Sequence, residues 1–239
     1  MKEIFIKTED NIKIGLNHYS KNNENVVIIA PGWCMTKDSF AFKGISELFA
    51  EDYDVICFDF RGHGKSSGFY TFMSKEISDM NAVIEFAKNN NYKNIYVAGF
   101  SLGAGVAVIC GANNKNISKI IAVSAPYDFN KIENYMWKKE AWMETFRKFE
   151  LGRFLSVRPS VILHKKIKPG EIIKQVTAPT LFIAGEKDPT VYPWHTEKLY
   201  NEAVCKKDYK LFQGGCHAED LFLHFPELFG EYCLDWLKD

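Results

Sequence analysis

IYVAGFSLGAGVAVICGA, residues 95–112, is the stretch on which the reading of the fold turns. Its apolar length is close to that of a membrane span. Its centre, however, is Gly99-Phe100-Ser101-Leu102-Gly103, a G-x-S-x-G motif. That centre predicts a strand up to Phe100, a sharp turn at Ser101 and a helix from Leu102, so no transmembrane segment is expected. The turn holds the serine in a strained backbone conformation, and its neighbours must be small. The helix N-terminus then aims backbone N–H groups at the charge that forms during acyl transfer. The competing reading is a Gly-rich turn with a buried serine, and the flanking strand and helix weigh against it.

Similar apolar runs recur on both sides. They are VVIIAPG (26–32), VICFDF (55–60), IIAVSAP (120–126), TLFIAGEKD (180–188) and YKLFQGG (209–215). Continuous apolar strands imply a sheet buried on both faces, hence parallel. Parallel strands need crossovers, and helical patterns lie between them at 40–50, 74–88, 102–112, 194–204 and 225–237. In 74–88, Ile77, Met80, Val83, Ile84 and Ala87 share one face. At the start, Ile4 and Ile6, then Ile12, Ile14 and Leu16, alternate with polar residues around a turn at Glu9-Asp10-Asn11. The expected fold is α/β: a doubly wound, mostly parallel sheet opened by an antiparallel hairpin. The alternation breaks over 127–178, which is rich in aromatics and reads as an inserted, mostly helical cap. The core domain is then 1–126 plus 179–239.

A serine hydroxyl needs a base. His217, in Gly214-Gly215-Cys216-His217, follows the last predicted strand. Loops after parallel strands gather at one edge of the sheet, where His217 can meet Ser101. Asp188, in Gly185-Glu186-Lys187-Asp188, follows the strand before and is the expected orienting carboxylate. Asp128 is its rival, since it follows the strand before the cap. His18, His63, His164, His195 and His224 are expected in structural or surface roles. The loop Pro31-Gly32-Trp33-Cys34 follows the first parallel strand. The N–H groups of Trp33 and of Leu102 are the expected oxyanion donors. Trp33, Tyr127, Trp137, Trp142 and Phe146 are candidates to line the substrate pocket.

These motifs, with Asp59-Phe60-Arg61-Gly62-His63-Gly64-Lys65-Ser66, resemble the ordered motifs of the α/β-hydrolase superfamily. They look most like its serine-aminopeptidase-like and monoacylglycerol-lipase-like branch. The resemblance covers nearly everything except the cap. It implies an α/β-hydrolase fold, a Ser-Asp-His triad, and a structural role for the 59–66 loop in bracing the oxyanion side. Pro31 stands where the family often has His, and Phe100 where it often has His; neither change removes a catalytic group.

Composition limits the partners. The 239 residues hold 30 Lys and Arg against 30 Asp and Glu, so net charge gives no reason to expect nucleic acid. None of the six cysteines forms a C-x-x-C pair or a zinc spacing, so no metal is expected. Gly64-Lys65-Ser66 is not a phosphate loop, because Asp59 stands where the first glycine belongs. No cofactor is implied. The N-terminus lacks an apolar signal core, and a reducing cytoplasm is expected. Residues 127–178 carry 11 Lys and Arg against 6 Asp and Glu, which suits a substrate with a carboxylate or phosphate as well as it suits a solvated helix face. The expected activity is hydrolysis of a small-molecule carboxylic ester through an acyl-enzyme on Ser101. Peptidase, thioesterase or other hydrolase activity on the same triad is the alternative, as is a ligand-binding protein that keeps the fold. Oligomeric state stays open.

Overall fold

In the computed structural model, residues 1–132, 139, 156–160 and 165–238 are described. Eight strands form one sheet: β1 (Lys2–Lys7), β2 (Lys13–Tyr19), β3 (Asn25–Ala30), β4 (Asp54–Phe58), β5 (Asn94–Phe100), β6 (Ile117–Val123), β7 (Thr180–Gly185) and β8 (Lys207–Phe212). Their spatial order is β1-β2-β4-β3-β5-β6-β7-β8. β1 and β2 pair antiparallel, β2 joins β4 antiparallel, and every later pair is parallel. The expected α/β sheet with an opening hairpin is therefore present. The hairpin aligns Ile4 with Leu16 and Ile6 with Ile14. Its turn runs from Thr8 to Asn11, where Asn11 takes φ 62°.

The period of two divides each central strand between two cores. Val26 and Ile28 face one side, Val27 and Ile29 the other. On the first side lie α2 (Glu76–Asn89), α3 (Leu102–Asn113) and α4 (Pro193–Glu202). On the second lie α1 (Phe40–Phe49), α5 (Glu219–His224) and α6 (Pro226–Lys238). In α3, every residue from Leu102 to Gly111 is buried. A helix covered on all sides is apolar all round, which accounts for the span-like hydropathy of 95–112. Among the described residues no helix is long and apolar enough to cross a membrane.

One expected boundary shifts for a local reason. The helix read at 225–237 is preceded by a separate one, α5, and the two are divided at Phe225. Steric crowding by a proline ring is the cause: Pro226 opens α6 and disfavours helical backbone in the residue before it. In the run 120–126 the strand gives way to its loop after Val123, where Ser124 turns to φ 50°. Within 127–178, Ile173, Val176 and Ala178 are buried in the first core beside α3. Most of the helical pattern expected there falls outside the described residues.

The chain moves outward from β3 to β4 on one side and to β5 on the other. That divergence makes the carboxyl ends of β3 and β5 the switch point of the sheet, the usual place for a site in such folds.

Candidate active site

Ser101 sits between β5 and α3 with φ 53° and ψ −118°. This is a positive-φ conformation that a non-glycine residue adopts only under constraint. The flanking glycines supply the room. A Cβ on Gly99 would lie 2.5 Å from the Gly103 carbonyl oxygen, and one on Gly103 would strike the Ala30 and Pro31 carbonyls. The serine N–H is held by the Val123 carbonyl at 2.8 Å. Its hydroxyl therefore stands clear of the sheet at the head of a buried helix.

The loops after β7 and β8 bring the two partners. His217 Nε2 is 2.9 Å from Ser101 Oγ, and His217 Nδ1 is 2.7 Å from Asp188 Oδ2. With Nδ1–H toward the carboxylate, Nε2 presents its lone pair to the serine hydroxyl. Asp188 is buried, and its other oxygen accepts the Thr190 and Val191 N–H groups, each at 2.9 Å. The loops lock together because Lys187 N–H donates to the Gly215 carbonyl at 2.8 Å. The rival carboxylate, Asp128, is taken up elsewhere: it accepts the Asn130 N–H and pairs with Lys168 at 3.2 Å.

Gly32 packs directly on Ser101, for a Cβ there would lie 3.1 Å from Ser101 Cβ. Trp33 follows it and is exposed. Leu102 opens α3, so its N–H is one of the unpaired donors of a helix start. Cys34, the residue after Trp33, takes φ 60° and donates its N–H to His63 Nε2 at 3.2 Å. His63 Nδ1 in turn faces the Arg61 carbonyl at 3.2 Å, and burial pushes its pKa down to about 4.

The pocket candidates divide. The Trp33 ring lies 5.9 Å from that of Phe72. Tyr127 is engaged with α4: its hydroxyl donates to Glu202 and Lys198 Nζ lies 4.3 Å over its ring. Its N–H donates to the buried His195. Trp137, Trp142, Phe146 and also His164 lie outside the described residues. Among the described residues no group of three His, Cys, Asp or Glu side chains converges as a metal site.

Three neighbours escaped the sequence reading. Ser124 Oγ accepts the Ala218 N–H at 3.0 Å and so steadies the loop that carries His217. A serine at a strand end has many uses, and a partner 94 positions away leaves no local signal. Phe72 and Met73 take φ 55° and 69° in an irregular loop with no hydrophobic period to read.

Known proteins bear on this arrangement. A family model described as alpha/beta hydrolase fold matches residues 25–152. The chain is 24% identical over 191 residues to the alpha/beta hydrolase domain-containing protein WAV2 of Arabidopsis thaliana. It is 26% identical over 179 residues to the lysophosphatidylserine lipase ABHD12 of Rattus norvegicus. The matches take in 77% and 72% of this chain but span only 60% and 42% of those proteins. Among solved structures, the esterase Pf2001 of Pyrococcus furiosus superposes with a TM-score of 0.81 at 27% identity, over 99% of this chain and 91% of that one. The family match takes in more than half of the residues, including the whole turn around Ser101, and the chain belongs to the α/β-hydrolase fold family.

Proposed function

We propose that the chain is a carboxylic ester hydrolase that works through an acyl-enzyme on Ser101. The observation that carries this reading is the unbroken line from Asp188 to His217 to Ser101, with both links at hydrogen-bond distance. His217 takes the serine proton as Oγ attacks the ester carbonyl, then gives it to the leaving alcohol. Asp188 orients the ring and stabilises its protonated form. The Trp33 and Leu102 N–H groups hold the oxyanion, Gly32 lying against Ser101 and Leu102 following it. Water then cleaves the acyl-enzyme, with His217 again the base. Likeness to an archaeal esterase supports a carboxylic ester as substrate. The segment 127–178 acts as a cap over a small-molecule acyl site. In support, Arg158 and Ser160 bond to Gly62 and Tyr70 on the oxyanion side.

The test is a p-nitrophenyl ester series of rising acyl length, run on the wild type, Ser101→Ala and His217→Ala. The wild type should turn over the series with a length optimum. Each variant should lose roughly 10⁴-fold or more in kcat, as loss of a triad member does elsewhere. Equal activity in all three proteins, or none in the wild type, overturns the ester reading.

A further inference from the structure

A row of aromatic rings leads away from the Ser101 site and ends on a cation. Trp33 begins it, 5.9 Å from Phe72 between centroids, and Phe72 lies 5.9 Å from Phe129. Lys166 Nζ stands 3.8 Å over the Phe129 ring and 5.5 Å over that of Phe72. The row is held in place. Phe72 and Met73 both have positive φ, a strained backbone that only a well-determined surrounding maintains. Glu76, fully buried, holds this turn by accepting the Thr71 N–H at 2.6 Å, the Thr71 hydroxyl at 2.8 Å and the Ser74 N–H at 3.0 Å. The Ser74 hydroxyl donates to the Lys165 carbonyl at 3.1 Å, which fixes the backbone beside Lys166. Met73 packs where a Cβ on Gly105 would go, one turn of α3 beyond Ser101.

Lys166 differs from its neighbour. Lys168 is bound to Asp128 at 3.2 Å and to Glu171 at 3.6 Å. Among the described residues, no carboxylate stands within ion-pair distance of Lys166. The Glu76 charge reaches it only through space and is already met by three donors. Its half-buried ammonium has lost water, and burial lowers its pKa below the ordinary lysine value. The two aromatic faces replace part of that hydration. Among the described residues no anion meets the Lys166 ammonium.

We infer that Lys166 is the anion-binding end of the substrate site, so that the preferred esters carry a carboxylate or phosphate group. Their apolar portion lies along Trp33 and Phe72. This deepens the ester reading and rests on it.

The experiment compares p-nitrophenyl esters of matched acyl length that end in methyl, carboxylate or phosphonate. It is run on the wild type, Lys166→Met and Lys166→Arg. The quantity read is the ratio of kcat/KM on each anionic ester to kcat/KM on the neutral one, taken within a single protein sample. Partial misfolding cancels from such a ratio. In the wild type an anionic ester should be preferred, and the preference should shrink as salt is added. Lys166→Met should lower the ratio by about tenfold, the scale of one charge-assisted contact, and Lys166→Arg should restore most of it. The better of the two anionic arms identifies the headgroup. An unchanged ratio in Lys166→Met, or a wild type that prefers the methyl ester, overturns the inference while the ester reading stands. A wild type that hydrolyses none of them removes the ester reading and this inference with it.

Discussion

His63 directs the backbone of the loop that packs on Ser101 without touching Ser101 or His217. Its Nε2 accepts the Cys34 N–H, its Nδ1 faces the Arg61 carbonyl, and its ring meets the edge of Tyr70 at 4.6 Å. Only the neutral imidazole can accept that N–H. Burial already favours the neutral form and pushes the pKa down to about 4. In the unfolded chain the value returns to about 6.5. Between these values the unfolded state binds the extra proton, so folding loses stability as pH falls through the window. The loss from this one group should total roughly 3 kcal/mol by pH 4. Asp59 works in the opposite sense. Burial raises its carboxyl to about 6, so its contribution is lost as pH rises. Comparing the wild type with His63→Phe removes that background. Urea unfolding at several pH values should show the wild type losing the extra stability between about pH 6.5 and pH 4 while the variant does not. Parallel curves would mean that His63 is not buried as a neutral acceptor.

At the scale of elements, the start of α2 carries more than a helix cap. Glu76 reaches back to Thr71 and Ser74, and Thr71 Oγ accepts the Lys75 N–H at 2.8 Å. This closed set of bonds fastens the strained Phe72–Met73 turn to a helix that is itself packed on the sheet. Glu76→Gln keeps the shape but puts an amide N–H₂ where an acceptor is needed. At least one buried donor is then left facing another donor, at a cost of about 1–3 kcal/mol. A lower midpoint in urea with an unchanged slope is the expected result. An unaltered midpoint would mean that the turn relaxes freely. Elements of this kind were the least legible in the sequence. β3 to β7 announced themselves because strands covered on both faces must be apolar throughout, and α3 because a central helix must be. Ser101, Asp188 and His217 could be read as a set because each stands just beyond a strand of the parallel sheet, β5, β7 and β8 in turn. The 69–74 loop has neither property. Tyr70 bonds to Arg158 and Ser160, and partners some 90 positions away impose no period on either segment.

At the scale of the whole molecule, the opening hairpin is joined to the site by buried cations: Arg61 pairs with Asp10 in the hairpin turn, and Lys37 makes a second tie. Lys37, on the loop between β3 and α1, bonds Glu3 of β1 at 2.8 Å and Asp38 at 2.7 Å. Its own N–H donates to Asp59, whose other oxygen accepts the Lys65 N–H. One sheet edge, the loop that leaves Trp33 and the loop that holds His63 thus share a single network. The sequence suggested an opening hairpin but not this tie, because Lys37 reads as a surface lysine and its side chain is fully buried. Its two carboxylate partners are each about a third exposed, so solvent screens them and they can rehydrate when the cation is removed. Lys37→Met should therefore cost only about 1–2 kcal/mol near neutral pH, less than the roughly 3–5 typical of a fully buried pair that loses one member. The acid dependence separates charge from packing. The hydrogen bond from Lys37 is the largest influence lowering the Glu3 pKa, and it also helps to lower that of Asp38 against the effect of burial. A depressed carboxyl adds stability above its unfolded value and loses it as pH falls through its folded one. The gap between wild type and Lys37→Met should accordingly be widest near pH 7 and close towards about pH 3. If urea titrations give the same gap at both ends, the lysine acts through the packing of its alkyl stem, and this second tie holds the hairpin by shape rather than by charge.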